Sequence, residues 1–285
     1  MDHRLEAGGE SEDAMRQHGL RSRRGDEADS AFRLLTSAAT RFSGALLAAL
    51  LLTGCQTAPP PPGVSLLTVC RWAATPPVLD GKLDDAVWQR AVPIDQFPSY
   101  WAGTDPGPLT TAWLLWDSDA LYFAARMTDR ELRSFGEKQN DKLYLGDVFE
   151  LFFKPSPRSP LYYEWEVNPK GVLMELAIPQ VPFDFDTVAA GPPLGAQVAI
   201  TLDGTLNQPG DVDRGWIIEG RIPWSAFTAA GGRPAAGTTW RFALCRYDYG
   251  PDGTKPLNTS SAPLRKLSYH RTPDYGWLTF EGPAR

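Results

Sequence analysis

Residues 141–153 read DKLYLGDVFELFF, an apolar run that carries two acids, Asp147 and Glu150, three positions apart. Acids this close invite a reading as an acid/base pair, whereas the apolar run reads as a buried strand. Side chains of a strand alternate between its two faces. On a continuous strand over 147–153, Asp147, Phe149, Leu151 and Phe153 share one side, and Val148, Glu150 and Phe152 share the other. The two carboxylates then point apart, so a catalytic dyad straddling one bond is not built from them.

Beyond the proline-rich loop KPSPRSP lies YYEWEVN, residues 162–168. There Tyr163, Trp165 and Val167 face one way, and Tyr162, Glu164, Glu166 and Asn168 face the other. If the two strands are neighbours, one sheet face collects Glu150, Glu164, Glu166 and Asn168. A face so rich in acceptors suits sugar hydroxyls, which donate to carboxylates and accept from amides. A solvated face paired with Lys and Arg is the other reading.

The same pattern runs through the rest of the chain. WLLW (113–116) passes through DSD into LYFAARM (121–127), a hairpin signal. VAITLDG (198–204), GWIIEGRIP (215–223), WRFALCRYD (240–248) and YGWLTF (275–280) follow as further strands. Helical patterning is confined to LDDAVWQRA (83–91), about two turns. With 26 Pro and 26 Gly punctuating short strands, the expectation is an all-β protein, an antiparallel β-sandwich, as one domain over 68–283. Ten Trp and nine Tyr exceed what a core of this size requires, so a few should be exposed. The net charge of −6 gives no basic footprint for nucleic acid.

The N-terminus reads as a leader. Residues 1–40 are polar and charged, and RFSGALLAALLLTGC (41–55) joins a basic start to a short apolar run. Ala45–Leu52 is too short to span a bilayer but suits a signal-peptide core. LTGC resembles the lipobox of bacterial lipoproteins. That resemblance implies a signal peptide within 1–54, cleavage before Cys55, acylation of its thiol and a lipid-anchored protein of the bacterial cell envelope, on the outer membrane in a Gram-negative host. QTAPPPPG then continues an extended linker over 55–67. The stretch before Arg41 is long for a signal, which points to an internal start such as Met15.

Cys70 and Cys245 remain, and two readings stand: a disulfide between the first strand and a late one, or two separate buried thiols. His270 is the single histidine outside the leader, so a multi-histidine metal site cannot be built, and no GxSxG elbow is present. Haem is poorly served by His270 with Met127 and Met174.

Five segments in order carry a further resemblance: PPVLDGKLDDAVWQRA (76–91), WLLWDSDALYFAARMTD (113–129), LYLGDVFELFF (143–153), YYEWEVNPKG (162–171) and HRTPDYGWLTF (270–280). Together they resemble family 9 carbohydrate-binding modules over nearly all of residues 70–282. The resemblance implies a jelly-roll β-sandwich, no catalysis, and a terminal sugar clamped by two aromatic side chains. Tyr144, six positions before Glu150, and Tyr269, seven before Gly276, match the clamp positions; Glu150 matches a hydroxyl-binding glutamate. Asp147 matches an acid that stabilises the loop or strand, and His270 adds a flat face or a hydrogen bond. The sequence departs from the family at Glu166, where a basic side chain is the rule, near Cys245, where an amide is, and at Lys266, where an asparagine is. By analogy, Asp129, Asn140 and Asp141 are loop oxygens of the kind calcium takes, although they lack EF-hand spacing and read equally as an ordinary polar loop.

The expected activity is therefore non-catalytic carbohydrate binding, with no cofactor beyond that calcium, assisting polysaccharide capture or breakdown. The alternatives are an envelope interaction domain with a decayed sugar site, or a glycoside hydrolase drawing on Asp147, Glu150, Glu164, Glu166 and Asp248.

Overall fold

A computed structural model of the chain describes residues 67–99 and 107–283. The expected signal peptide, Cys55 and the linker up to residue 66 lie outside the described residues. Eleven strands form among them: β1 (Leu67–Trp72), β2 (Thr110–Trp116), β3 (Ala120–Thr128), β4 (Val148–Lys154), β5 (Tyr162–Val167), β6 (Leu173–Ile178), β7 (Gln197–Asp203), β8 (Gly215–Pro223), β9 (Thr239–Tyr249), β10 (Pro256–Ser260) and β11 (Gly276–Phe280). One sheet runs β6-β5-β4-β9-β11-β1, with β10 paired to the far half of β9; the other runs β1-β2-β3-β8-β7. Strand β1 joins them. Its residues 67–70 pair with β11 and its last two with β2, both in parallel, while the other pairings are antiparallel.

The β-sandwich expected from strand spacing is thus present, and alternation explains its core. Phe149, Leu151 and Phe153 of β4 face Phe123, Trp216 and Ile218 of the other sheet's inner layer, all buried. Trp116, Trp224, Trp240, Phe227 and Phe280 add a lattice of tilted and edge-to-face ring contacts, with centroids 4.9–6.2 Å apart. Tryptophans therefore fill the space between sheets, where large rigid rings bury the most apolar area per residue.

Two details differ from the sequence expectations, and a third closes an open one. Strands β6 and β10 were not anticipated, because LMELAI is rich in good helix formers and PLNTS carries a single large apolar residue. The helix expected over 83–91 contracts to a 3₁₀ turn, Ala86–Arg90. Cys70 and Cys245 form no disulfide. They are separate buried thiols, with Cys70 in the inter-sheet core and Cys245 in the apolar layer on the outer face of the first sheet, and β11 lies between their strands.

The DGKLDDAVW motif has a structural purpose. Glu219, buried on β8, accepts from the Asp80 and Gly81 amides at 3.1 and 2.7 Å and from the Trp88 indole at 2.8 Å. Gly81 sits at φ 78°, and a Cβ there would lie 2.8 Å from Thr201 Oγ1. One carboxylate thus seats the whole segment on the outer face of the second sheet. Glu219→Ala leaves three donors without their acceptor. Urea unfolding should show a loss of about 3 kcal/mol, whereas Glu219→Gln, which keeps one acceptor oxygen, should lose less. Equal stability of wild type and the alanine variant would refute this anchoring role.

Candidate functional site

The outer face of the first sheet carries the candidate site. Register places Glu150 of β4 opposite Glu166 of β5 and Cys245 of β9, and Phe152 opposite Glu164 and Ala243. On β6, Leu176 lies opposite Glu164 and Met174 opposite Glu166. Four strands thus lay out a floor of three acids among apolar neighbours. Walls rise from loops: Tyr144 from the turn Leu143–Leu145, Phe183 and Phe185 at the start of α1 (Phe185–Ala189), and Leu267–His270 ahead of β11. Together with Tyr247 of β9 they enclose a cavity of about 360 Å³.

Asp147 stands apart from this cavity, as strand parity demands. It is buried and accepts from the Arg133 and Tyr249 amides, each at 2.6 Å, tying the loop after β3 and the end of β9 to the start of β4. Its carboxylate neighbours are Asp129 and Asp248, not Glu150. Gly146 permits that arrangement, since a Cβ would come within 2.6 Å of the Phe135 nitrogen.

The site's electrostatics are unusual for an exposed cleft. Glu150, Glu164 and Glu166 are all buried, and one carboxylate oxygen from each lies within 4.8 Å of the others. Each also keeps one oxygen, Oε2, without a hydrogen-bond partner. Burial, reinforced by the neighbouring acids, pushes Glu150 and Glu164 well above the usual carboxylate range. Burial raises Glu166 to about 8, partly offset by hydrogen bonds from the other two acids and the Tyr144 amide. His270, whose Nδ1 is 3.0 Å from the Tyr162 hydroxyl and 3.8 Å from Glu164, is driven down to about 4 by burial and is neutral at neutral pH. At neutral pH the cluster therefore holds protons and carries no balancing base.

Six of the seven residues expected to bind ligand line this one cavity: Tyr144, Glu150, Glu164, Glu166, Tyr269 and His270. Asn168 does not. The strand ends at Val167, alternation ends with it, and the Asn168 side chain closes the following turn through Phe135 O, Lys170 N and Val172 N. Tyr269 differs from the open platform expected of it: its ring is buried edge-on against Phe152 and Tyr247, and its hydroxyl donates to the Arg246 and Thr259 carbonyls. Tyr144 is half-buried and meets Phe185 edge-on at 6.4 Å.

The oxygens expected to hold calcium are engaged separately. Asp129 pairs with Arg246, Asn140 bonds the Ala189 carbonyl and the Glu175 amide, and Asp141 accepts from Glu137 and Lys138. Sequence reading missed Phe152, Met174, Leu176, Phe183, Phe185 and Tyr247 as cavity residues. For Tyr247 a signal existed, because alternation along β9 places it on the same face as Cys245.

A β-sandwich with a carboxylate-floored, aromatic-walled cavity on one outer sheet face defines a class of ligand-binding modules. The chain belongs to the family described as carbohydrate family 9 binding domain-like, whose model matches residues 79–282. It is 28% identical over 156 residues to endo-1,4-beta-xylanase A of Thermoanaerobacterium saccharolyticum and 26% identical over 156 residues to exoglucanase XynX of Acetivibrio thermocellus. Each match covers 55% of this chain and 12% of the relative. In fold it is similar to a family 9 carbohydrate-binding module from Caldicellulosiruptor kristjanssonii, solved with cellotriose (18% identity, TM-score 0.56, 76% of this chain and 95% of that one). The same holds for that organism's module solved with glucose (18% identity, TM-score 0.55, 76% and 97%).

The buried acids make stability depend on pH with a defined sign. Glu166 and Asp147 are raised to about 8 and Asp129 to about 7, so the folded chain holds protons that the unfolded chain releases near pH 4. Stability from these groups is greatest below that pH and is lost as pH climbs to their folded values. His270 acts oppositely, but only between about 4 and its ordinary 6.5. From pH 6.5 to 8.5, therefore, Tm should fall, and Glu166→Gln should fall less steeply; a flat or rising wild-type Tm contradicts a protonated cluster.

Proposed function

We propose that the chain binds carbohydrate without catalysis, in the cavity between Tyr144, Tyr247 and His270, with the three floor glutamates receiving sugar hydroxyls. The observation that carries this reading is the concentration of three buried, incompletely bonded acids beneath aromatic walls in a fold of family 9 type. A volume of about 360 Å³ is at the small end of ligand cavities and suits a chain end or a short oligosaccharide. Hydrolysis is disfavoured by the arrangement of acids. A glycosidase sets two carboxyls on either side of the bond, whereas these three share one floor on the same sheet face.

The N-terminal LTGC further supports attachment to a membrane through an acylated Cys55, which would hold the module at the cell envelope, where it would capture polysaccharide for enzymes acting beside it. Labelling with an alkyne fatty acid in a bacterial host should tag the wild type and not Cys55→Ser; equal labelling of both rejects the anchor.

Binding is tested by calorimetry against cello-oligosaccharides, xylo-oligosaccharides and their monomers. Tyr144→Ala should weaken binding about three- to tenfold, matching the ~0.5–1.5 kcal/mol of an aromatic contact. Glu150→Gln should weaken it about two- to tenfold, the ~0.5–1.5 kcal/mol of a hydrogen bond between uncharged groups. Turnover of a chromogenic glycoside that disappears in Glu150→Gln would overturn the non-catalytic reading.

A further inference from the structure

The cavity floor offers acceptors and no fixed positive charge. No Lys or Arg is among the described residues that line it, and its one base, His270, is neutral at neutral pH. Of the nearby hydroxyls, that of Tyr269 is committed to two backbone carbonyls and that of Tyr162 lies 3.0 Å from His270 Nδ1. A neutral sugar fits such a floor while its glutamates keep their protons; a cation that enters would displace a proton to solvent and leave the glutamate it meets ionised and paired, so that the charge is compensated in a dry site.

An ammonium group meets the geometry on three counts. It has three N–H donors and no acceptor, and three glutamates each present one oxygen without a partner. One carboxylate oxygen from each lies within 4.8 Å of the others, so a point between the three is no farther than about 2.8 Å from any of them, within reach of a charge-assisted N–H···O bond. The rings of Tyr144, Phe152 and Tyr247 line the same cavity, and an aromatic ring attracts an organic cation over its face. A calcium ion would also meet the acids, but it wants six to eight oxygens, and Phe152, Met174 and Leu176 supply none.

We propose that the preferred ligand of this cavity is a sugar bearing a protonated primary amine, of the glucosamine type, with its ammonium seated among Glu150, Glu164 and Glu166. The inference rests on the sugar-binding reading above and narrows it to cationic amino sugars.

The test is calorimetry on the full chain at pH 6.5 with EDTA, using glucosamine, N-acetylglucosamine, glucose and cellobiose, repeated with calcium chloride in place of chelator. Glucosamine should bind at least tenfold more tightly than glucose, and N-acetylglucosamine, which lacks the charge, no more tightly than glucose. Glu166→Gln should narrow the glucosamine-to-glucose ratio to about threefold or less, and Glu164→Gln serves the same purpose if the first variant does not fold. Equal affinity for glucosamine and glucose overturns the amino-sugar inference while leaving sugar binding intact. Binding that requires calcium and is alike for all four sugars overturns it in favour of a metal-bridged site. Failure of every sugar to bind removes both this inference and the function on which it rests.

Discussion

Strand β4 is packed on both faces, and the rest of the molecule is arranged around that fact. Phe149, Leu151 and Phe153 complete the core between the sheets, while Val148, Glu150 and Phe152 face an outer layer covered by loops. Shifting its register by one residue would exchange the two sets, placing a glutamate among the tryptophans and phenylalanines of the core. The cost of setting its carboxyl in an apolar core, without the Glu166 neighbour it meets on the outer face, holds the register of β4, and through it those of β5 and β9. The site's acids are therefore placed by the same constraint that builds the sandwich.

Two groups of three acids, all buried except the half-buried Asp248, occupy this half of the molecule, and their surroundings separate their roles. Asp129, Asp147 and Asp248 are partnered: Arg246 bonds the first and third, and backbone amides bond the second. Such a group fixes loops and offers little to a ligand. Glu150, Glu164 and Glu166 face an open volume with unfilled oxygens and no cation. An unfilled buried acceptor lowers the stability of the free protein, and a ligand that fills it recovers that loss as affinity. Incomplete bonding, more than the number of acids, distinguishes a binding floor from a structural one.

Aromatic residues of the inter-sheet core, together with Glu219 beneath the N-terminal segment, hold the framework at positions outside the cavity. Basic partners are absent among the described cavity residues, and the acids answer by keeping their protons.

Most strand positions, the sandwich class, the opposite facing of Asp147 and Glu150, and the gathering of Glu150 with Glu164 and Glu166 were determined by the sequence, because alternation is local and each residue's face follows from its neighbours. The acidic cavity residues on strands were legible for that reason, and Tyr144, Tyr269 and His270 through the spacing of the family motifs. Other features belonged to the tertiary structure alone. Asn168 lost its place when β5 ended one residue earlier, Tyr269 was turned into a wall by partners on β9 and β10, and the two cysteines were parted by the layer between them. Phe183, Phe185 and strand β6 entered the site through contacts distant in sequence. Burial and the resulting protonation were likewise decided only there, since desolvation depends on what covers a carboxyl, and no local pattern records what lies above a strand.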